Sequence, residues 1–269
     1  MKVGFVGAGR MGTPMIERLL GAGHDVVALG RSDEKRTALR DLGATAVAEV
    51  TAVAVGAEVV VVCVFTDDQV RELCLDAPAG NGLLAAMQPG SVLVLHTTGS
   101  PATAGAVAEV AAARGIGVID APVSGGPHDI AAGAITLYLG GSDAAVATAR
   151  PALAAYGEPV VHVGPLGCGQ KMKLINNTVF AAQIGLVAEA AKLAEHLGIE
   201  ESAMLAALPH GSGASRAMGN IARAGSTAGF VTAVGEFLDK DVTVVRRTAA
   251  ELGTDLGRLE ALVDAGLGR

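Results

Sequence analysis

The stretch "KVGFVGAGRMG", Lys2 to Gly12, decides the fold of this chain. An apolar, strand-like run extends to Val6, and glycines follow at a spacing that opens the helical pattern "RMGTPMIERLLGAG". The next stretch, "DVVALG", again has the pattern of a strand. A strand, a glycine-rich turn, a helix and a second strand make a compact βαβ unit. The first 30 residues therefore predict an α/β fold.

The same alternation continues to about residue 164. We expect helices near Asp33 to Leu42 and from Pro101 to Arg114. The further predicted strands are "EVVVVCVF", Ser91 to Thr98, Gly117 to Val123, "AITLYLGG" and "PVVHVG". Near-continuous Val, Ile and Leu runs are typical of parallel strands in a sheet covered by helices on both faces. Residues 1–165 are therefore predicted to form a doubly wound parallel sheet.

Beyond Gly164 the pattern becomes helical, from about Cys168 to Leu197. A helix of about 30 residues would be roughly 45 Å long. That length exceeds the needs of one small domain, so the helix is predicted to connect residues 1–165 to an all-α domain, residues 166–269. The remainder is expected to form shorter helices, broken at "PHGSGAS" and "RAGSTAG".

Composition excludes several classes of function. The net charge of -7, with two Tyr, five Phe and no Trp, offers no basic face and few stacking rings for nucleic acid. The longest apolar run, Val59 to Phe65, is far shorter than the roughly 20 residues of a membrane span. Because the chain starts directly with a strand pattern, we expect a cytoplasmic protein without a signal peptide. Three cysteines and six histidines show no metal-ligand spacing, so no metal site is predicted.

The first turn has the pattern of a dinucleotide site. Gly7 permits a tight turn, Gly9 allows the backbone to approach a pyrophosphate, and Gly12 allows the helix to pack closely on the strand. The amides at the start of the helix are suited to bind phosphates. A glycine-rich turn without a ligand is the alternative. The residues predicted to bind the cofactor here are Gly7, Gly9, Arg10, Met11 and Gly12.

The end of the second predicted strand indicates which dinucleotide is bound. An acidic residue there accepts from the ribose 2′-OH of NAD, whereas an arginine attracts the 2′-phosphate of NADP. The sequence "LGRSDEK" places Arg31 and Ser32 at this point. NADP is therefore favoured. NAD remains possible if Asp33 or Glu34 reaches the ribose instead.

Two later segments carry polar residues suited to a substrate. In "DAPVSGGP", the amides of Gly125 and Gly126 can turn toward one point, with the Ser124 hydroxyl beside them. This segment is either an ordinary turn or a site for an anion such as a carboxylate. In "GCGQKMKLINN", Lys173 and Asn177 are four residues apart and share one helix face, whereas Lys171 does not. Lys173 is then either a solvated lysine or a proton donor held by an amide neighbour.

Four ordered motifs, "GFVGAGRMGTPM", "DAPVSGG", "GCGQKMKLINN" and "FLDKDV", resemble those of the β-hydroxyacid dehydrogenase family over nearly the whole chain. The family includes 3-hydroxyisobutyrate dehydrogenases, tartronate semialdehyde reductases and glyoxylate/succinic semialdehyde reductases. The resemblance implies an N-terminal Rossmann domain joined by a long helix to an all-α domain that pairs with another subunit, as a homodimer or a higher homo-oligomer. It implies hydride transfer between NADP(H) and a small substrate bearing a carboxylate.

The resemblance also assigns roles to residues. Lys173 corresponds to the catalytic lysine and Asn177 to the asparagine that orients lysine and substrate, with Ser124, Gly125 and Gly126 on the substrate-carboxylate loop. Thr98 corresponds to a hydroxyl near the nicotinamide, and Val64 and Phe65 to a strand end that lines the cofactor. Lys240 corresponds to a lysine that closes over the cofactor, although alone it has the pattern of a surface charge.

The chain departs from the family pattern at three places. Leu95, followed by His96, stands where many members have an aspartate, and Arg216 stands where many have a tryptophan. The chain stops 29 residues after Lys240, earlier than many relatives. These departures concern substrate choice more than chemistry. His128, His210 and Arg216 are further candidates for substrate contact.

Two other functions are compatible with this sequence. Related enzymes on the same scaffold reduce imines, but they usually lack the lysine found here as Lys173. A noncatalytic NADP-binding module is the second alternative, which the intact pair of Lys173 and Asn177 disfavours.

Overall fold

The strands of the N-terminal part form one sheet. The computed structural model describes residues 1–76 and 82–269. The strands found there are β1 (Lys2–Val6), β2 (Asp25–Leu29), β3 (Thr45–Val47), β4 (Val59–Val62), β5 (Val92–Leu95), β6 (Gly117–Asp120), β7 (Val123–Ser124), β8 (Ile135–Gly140) and β9 (Gly157–Gly164). The sheet order is β3-β2-β1-β4-β5-β6-β8-β7, and β9 also pairs with β8. Strand order reverses between β1 and β4, and in open α/β sheets ligands typically bind beyond the carboxyl ends of the strands at such a point.

The strands from β1 to β6 pair in parallel, as predicted. At the other end the sheet is mixed, because β8 pairs antiparallel with both β6 and β7. Ten residues separate Ser124 from Ile135, whereas a parallel connection needs a dozen or more. The strand expected from Gly117 to Val123 is accordingly divided into β6 and β7.

Helices cover the sheet on both faces. They are α1 (Gly12–Gly21), α2 (Asp33–Asp41), α3 (Val50–Ala54), α4 (Asp67–Cys74), α5 (Leu83–Ala86), α6 (Pro101–Ala112), α7 (Pro127–Ala131) and α8 (Asp143–Leu153). Alternate residues of β4 enter different cores: Val59 and Val61 pack with Phe5 in one cluster, while Val60 and Val62 belong to the other. This alternation is the period-2 geometry of a strand buried on both sides.

The chain divides into two compact units, Met1–Lys173 and Leu174–Arg269. The predicted domain boundary near residue 165 stays a prediction. The long helix α9 (Cys168–His196) contributes residues to both units, and its extent is close to the predicted 168–197. The remaining helices are α10 (Glu201–Ala207), α11 (Arg216–Ala224), α12 (Thr227–Glu251) and α13 (Glu260–Gly266). The C-terminal part is therefore all-helical, as predicted.

Helix α12 is the longest of the helices that follow α9. It runs for 25 residues and continues through Gly235, and the break predicted at "RAGSTAG" falls just before it, between α11 and α12. An interior glycine costs a helix about 1 kcal/mol relative to alanine. Leu238 and Val242 of α12 are buried in the core of the second unit, and such packing outweighs that cost.

Among the described residues, α9 is long and apolar enough to cross a membrane by length and composition alone. In its most apolar window 44% is buried inside the protein. Ala181, Ile184 and Val187 of α9 belong to the core of the second unit. These properties are typical of a core helix.

Candidate active site

The turn after β1 contains two glycines that the fold itself requires. Gly7 has a φ of 108°, and a Cβ there would lie 2.7 Å from the carbonyl carbon of Cys63. A Cβ on Gly12 would lie 2.9 Å from Cε1 of Phe5. Both positions exclude a side chain because backbone and core residues already occupy the space.

Gly9 differs from these two glycines. A Cβ there would meet no atom within 4 Å, and Gly9 is absent from the residues with positive φ. The protein's own packing therefore does not require glycine at this position, and open space lies beside its backbone. Helix α1 begins just after it without a side-chain cap on its first amides. This arrangement fits the pyrophosphate of a dinucleotide, which would approach Gly9 and the first turn of α1.

At the end of β2, the acidic residue nearest the predicted ribose site is already paired. Asp33 forms an ion pair with Arg36, and Arg36 also donates to the Gly30 carbonyl oxygen at 2.7 Å. Ser32 caps α2 by accepting from the Lys35 amide at 3.2 Å. Arg31 is exposed beside this cap. The contribution of Arg36 was missed from sequence, because it depends on α2 returning over Gly30.

The end of β4 presents an apolar side chain. Phe65 is 46% exposed. Its amide and that of Thr66 donate to Oε1 of Gln69, which fixes the backbone. Val64 is joined to the next strand end, because its carbonyl oxygen accepts from the Thr97 hydroxyl at 2.8 Å. Phe65 thus lies at the edge of the sheet that carries the glycine turn.

Two adjacent threonines in the loop after β5 have different surroundings. Thr97 is buried and bonds to Val64, whereas Thr98 is half-buried. Within residues 1–76 and 82–269, the Thr98 hydroxyl has no hydrogen-bond partner. Asp67 holds the rest of the loop by accepting from the Ser100 amide at 3.1 Å and the Thr103 hydroxyl at 2.5 Å. The hydroxyl of Thr98 therefore takes no part in the bonds that hold this loop.

Asp120, at the end of β6, is a functional candidate that sequence reasoning did not assign. It is fully buried, and its carboxylate accepts from the amides of Gly167 and Gln170 at 2.7 and 2.6 Å. The first turn of α9 is thereby capped by a residue of the sheet. Burial raises the pKa of the Asp120 carboxyl to about 6, although the two amides and Lys171 act in the opposite direction. Lys173 follows this capped turn on the same helix.

His96, which departs from the family pattern, is structural. Its Nδ1 donates to the Ala121 carbonyl oxygen at 2.5 Å, and its Nε2 accepts from the Tyr156 hydroxyl at 2.7 Å. The ring is 3% exposed, and burial lowers its pKa to about 4. A neutral imidazole therefore joins the ends of β5 and β6.

In the predicted substrate loop, one of the two amides expected to bind a ligand already has a partner within the protein. The Gly126 amide donates to Oδ2 of Asp129 at 2.7 Å, as a cap of α7. The expected pair of consecutive amides aimed at one ligand is therefore reduced to that of Gly125, which has a φ of 136°. Ser124 is half-buried beside it. Exposed His128 lies 3.3 Å from the Asp129 carboxylate.

In the second unit, Asn177 is joined to the segment that contains Lys240. Asn177 is 5% exposed, and its Nδ2 donates to Oδ2 of Asp241 at 2.6 Å. Asn176 donates to Oδ1 of Asn177 at 3.0 Å. Lys240 Nζ lies 3.4 Å from Asp241 Oδ1. Asp241 was not singled out from sequence, although it stands in the quoted motif "FLDKDV".

The two remaining candidates lie in the second unit. His210 ends a 3-10 turn and Arg216 begins α11, and both are exposed. In the part of the chain that the structure describes, no group of three or more His, Cys, Asp or Glu residues is arranged to hold a metal ion. Two grooves on the second unit are lined by none of the predicted site residues.

The sequence matches two family descriptions. Residues 2–164 match the "NAD binding domain of 6-phosphogluconate dehydrogenase". Residues 167–264 match the "NAD-binding of NADP-dependent 3-hydroxyisobutyrate dehydrogenase".

Individual proteins show the same similarity. A 3-hydroxyisobutyrate dehydrogenase from Pseudomonas aeruginosa is 34% identical over 216 residues, which are 80% of this chain and 72% of that protein. The solved structure of a Mycobacterium tuberculosis 3-hydroxyisobutyrate dehydrogenase with L-serine superimposes with a TM-score of 0.86 at 27% identity, covering 98% of this chain and 91% of that one. An imine reductase from Streptomyces aurantiacus has a TM-score of 0.68 at 22% identity, covering 99% and 93%.

Proposed function

The chain belongs to the β-hydroxyacid dehydrogenase family of NAD(P)-dependent oxidoreductases, and from that premise we propose that it transfers a hydride between NADP(H) and a small β-hydroxyacid, semialdehyde or 2-ketoacid. Lys173 is the general acid and base of this reaction. Asn177 orients Lys173 and the substrate.

The observation that carries the proposal is the position of Lys173. It stands on α9, three residues after Gln170, whose amide nitrogen is bound by buried Asp120. A lysine on an anchored turn is suited to hold its ammonium at one place. Protonated, it stabilises a developing alkoxide and delivers a proton to the oxygen; neutral, it accepts the proton when the hydroxyl is oxidised.

The choice of NADP rests on the cations after β2. When bound, the nicotinamide cofactor supplies or accepts the hydride. Arg31 and the Ser32 hydroxyl contact the 2′-phosphate in this proposal, while Arg36 is ion-paired with Asp33 and donates to the Gly30 carbonyl oxygen. The ion pair with Arg36 offsets the negative charge of Asp33, which would otherwise repel a 2′-phosphate. In the same proposal Phe65, Val64, Thr98 and Lys240 contact the cofactor.

The substrate carboxylate is proposed to bind at the loop that contains Ser124 and Gly125. The Ser124 hydroxyl and the Gly125 amide supply two donors. The neighbouring Gly126 amide donates to the Asp129 carboxylate. The negative charge of that carboxylate would repel a second negative group on the substrate. A small substrate with one carboxylate suits this site better than a dicarboxylate.

Imine reduction is the weaker alternative. The imine reductase is 22% identical, a level at which its likeness concerns the fold alone. A lysine at the reacting oxygen suits a carbonyl or alcohol, since it both donates and accepts that oxygen's proton. A noncatalytic module would not need this lysine.

A substrate panel separates these functions. Oxidation of NADPH is followed with small aldehydes, semialdehydes, 2-ketoacids and cyclic imines at matched concentrations. Turnover with carboxylate-bearing carbonyl compounds is expected. Turnover confined to imines would contradict the hydroxyacid assignment, and tight NADPH binding without any turnover would indicate a binding module.

We also propose that residues 166–269 form the substrate and dimerisation domain. Ile175, Val179, Leu186 and Leu193 lie along one face of α9 and are 42–60% exposed. Their spacing of four and seven residues keeps them on a single stripe, and a second copy of the chain would bury it. Sedimentation of Leu186→Glu with Leu193→Glu should show a smaller particle than wild type. Val110→Glu, in the first unit, is the control, and a monomeric wild type would contradict the proposal.

The expected cytoplasmic location is kept as part of this proposal. Cys63, Cys74 and Cys168 are all free thiols, which suits a reducing compartment. Fractionation of cells that express the protein tests it, and recovery from a membrane or secreted fraction would contradict it.

A further inference from the structure

The side chain of Gln170 connects α9 to the loop after β5. Gln170 is 3% exposed. Its Nε2 donates to the Thr97 carbonyl oxygen at 2.7 Å, and its Oε1 accepts from the Gly99 amide at 3.0 Å. Both ends of one amide are therefore bonded to the peptide groups on either side of Thr98. The arrangement fixes the backbone at Thr98 and leaves that residue's own side chain outside the bonds.

The backbone of Gln170 is also fixed by a hydrogen bond to the sheet. Its amide nitrogen donates to Asp120 at the end of β6, as does that of Gly167. The intervening helix backbone packs tightly on the sheet, because a Cβ on Gly140 would lie 2.7 Å from the Gly169 nitrogen. One residue of α9 is thus bonded through its backbone to β6 and through its side chain to the β5 loop.

Lys173 follows Gln170 by three residues on this helix, a rise of about 4.5 Å. A change at Gln170 would alter the place of the Lys173 turn relative to Thr98. A misplacement of about 1 Å between reacting groups can reduce a rate by about 10²-fold. Both Lys173 and Thr98 are residues that the proposed function puts at the reaction centre.

We infer that Gln170 is a positioning residue, which sets the distance between Lys173 and the Thr98 loop by bonding to Thr97 and Gly99. The inference rests on the proposed function, because it assumes that Lys173 acts on the substrate oxygen. Gln170 itself does not touch the substrate. Asp120 supports it by fixing the turn on which it stands.

The main test is Gln170→Met, which keeps the size of the side chain and removes both hydrogen bonds. The matched control is Gln88→Met, the same chemical change at an exposed glutamine. We expect kcat to fall by about 10²-fold, with a smaller rise in the NADPH dissociation constant, since the Thr98 contact is disturbed while Gly9 and Arg31 are untouched. Hydrogen exchange of the peptide that contains residues 97–103 should become faster in the variant, and the control should match wild type in all three measurements.

A double-mutant cycle distinguishes positioning from general damage. If Gln170 acts through Lys173, adding Gln170→Met to Lys173→Ala should leave the residual turnover unchanged. If Gln170→Met instead damages the protein in general, it should lower turnover by the same factor in wild type and in Lys173→Ala. That result would overturn the inference. Unchanged kcat in the single variant would overturn it too.

A second variant covers the case in which Gln170→Met does not fold. Gln170→Glu keeps the shape and the acceptor for Gly99, and when protonated it restores the donor to Thr97. Its kcat relative to wild type should therefore rise as the pH is lowered, and a ratio independent of pH would contradict the inference. The proposed function fails separately, if Lys173→Ala alone keeps wild-type turnover.

Discussion

Asn177 donates from Nδ2 to Oδ2 of Asp241 at 2.6 Å, and this bond joins α9 to α12. The second oxygen of Asp241 lies 3.4 Å from Lys240 Nζ. The segment around Lys240 therefore supplies more than a lysine, since it also holds the amide of Asn177. In the proposed reaction, Asn177 needs a fixed amide to orient Lys173 and the substrate.

Replacing Asp241 should therefore affect both stability and turnover. Asp241→Ala leaves the buried Asn177 amide without its acceptor, which typically costs about 1–3 kcal/mol in the free energy of unfolding. We expect kcat to fall with it, because the Asn177 amide becomes able to rotate. Urea unfolding and steady-state kinetics measure the two effects. Asp239→Ala, at a largely exposed ion pair with Arg269, is the control, and equal behaviour of the two variants would exclude the orienting role.

The cofactor assignment predicts an effect confined to NADPH. Arg31→Ala should lower kcat/KM for NADPH by about 10-fold or more, because a charge-assisted contact to the 2′-phosphate is lost. kcat/KM for NADH should change little, since NADH lacks that phosphate. Arg40→Ala, another exposed arginine near the end of α2, is the control. A wild type that prefers NADH, or an equal fall of kcat/KM with both cofactors, would show that Arg31 does not bind the 2′-phosphate.

Asp120 predicts an unusual dependence of stability on pH. Its pKa is raised to about 6 in the folded protein, against about 3.9 in an unfolded chain. Between these values the native state binds more protons, so the contribution of Asp120 to the free energy of unfolding falls as the pH rises, by on the order of 3 kcal/mol in total. Above about pH 6 it no longer changes.

Urea unfolding between pH 4 and 7 measures this contribution as the difference between wild type and Asp120→Asn. The difference should decline from pH 4 to 6 and then become constant. Asp143→Asn, at an exposed carboxylate of α8, should retain the wild-type dependence. A difference that grows with pH would mean that the two amide bonds outweigh the burial of the carboxylate.

Local patterns in the sequence were sufficient for the βαβ unit and for the extent of α9. The glycine turn is predictable because the spacing of Gly7, Gly9 and Gly12 lies within twelve residues of chain, although the contact that excludes a side chain at Gly7 is with distant Cys63. Lys173 and Asn177 could be paired because helical periodicity relates positions four apart. The engagement of Gly126 by Asp129 is also local, and a carboxylate three residues after a cap position was a usable but missed signal.

The contacts that anchor the site could not be predicted in this way. Asp120 bonds to residues 47 and 50 positions later, and Gln170 bonds to Thr97 across 73 positions. No periodicity relates residues at such distances, and their meeting depends on the completed sheet. For the same reason the link from Asn177 to Asp241, over 64 positions, followed only from the structure.

The most direct test of the account is the turnover number of Lys173→Ala at saturating NADPH, with the best substrate of the panel. Lys171→Ala, two positions earlier and exposed, is the control, and NADPH binding and thermal unfolding establish that each variant is folded. Loss of general acid and base catalysis predicts a kcat about 10²–10⁴-fold below wild type, with NADPH affinity retained. A Lys173→Ala enzyme with near wild-type kcat would contradict the proposed mechanism.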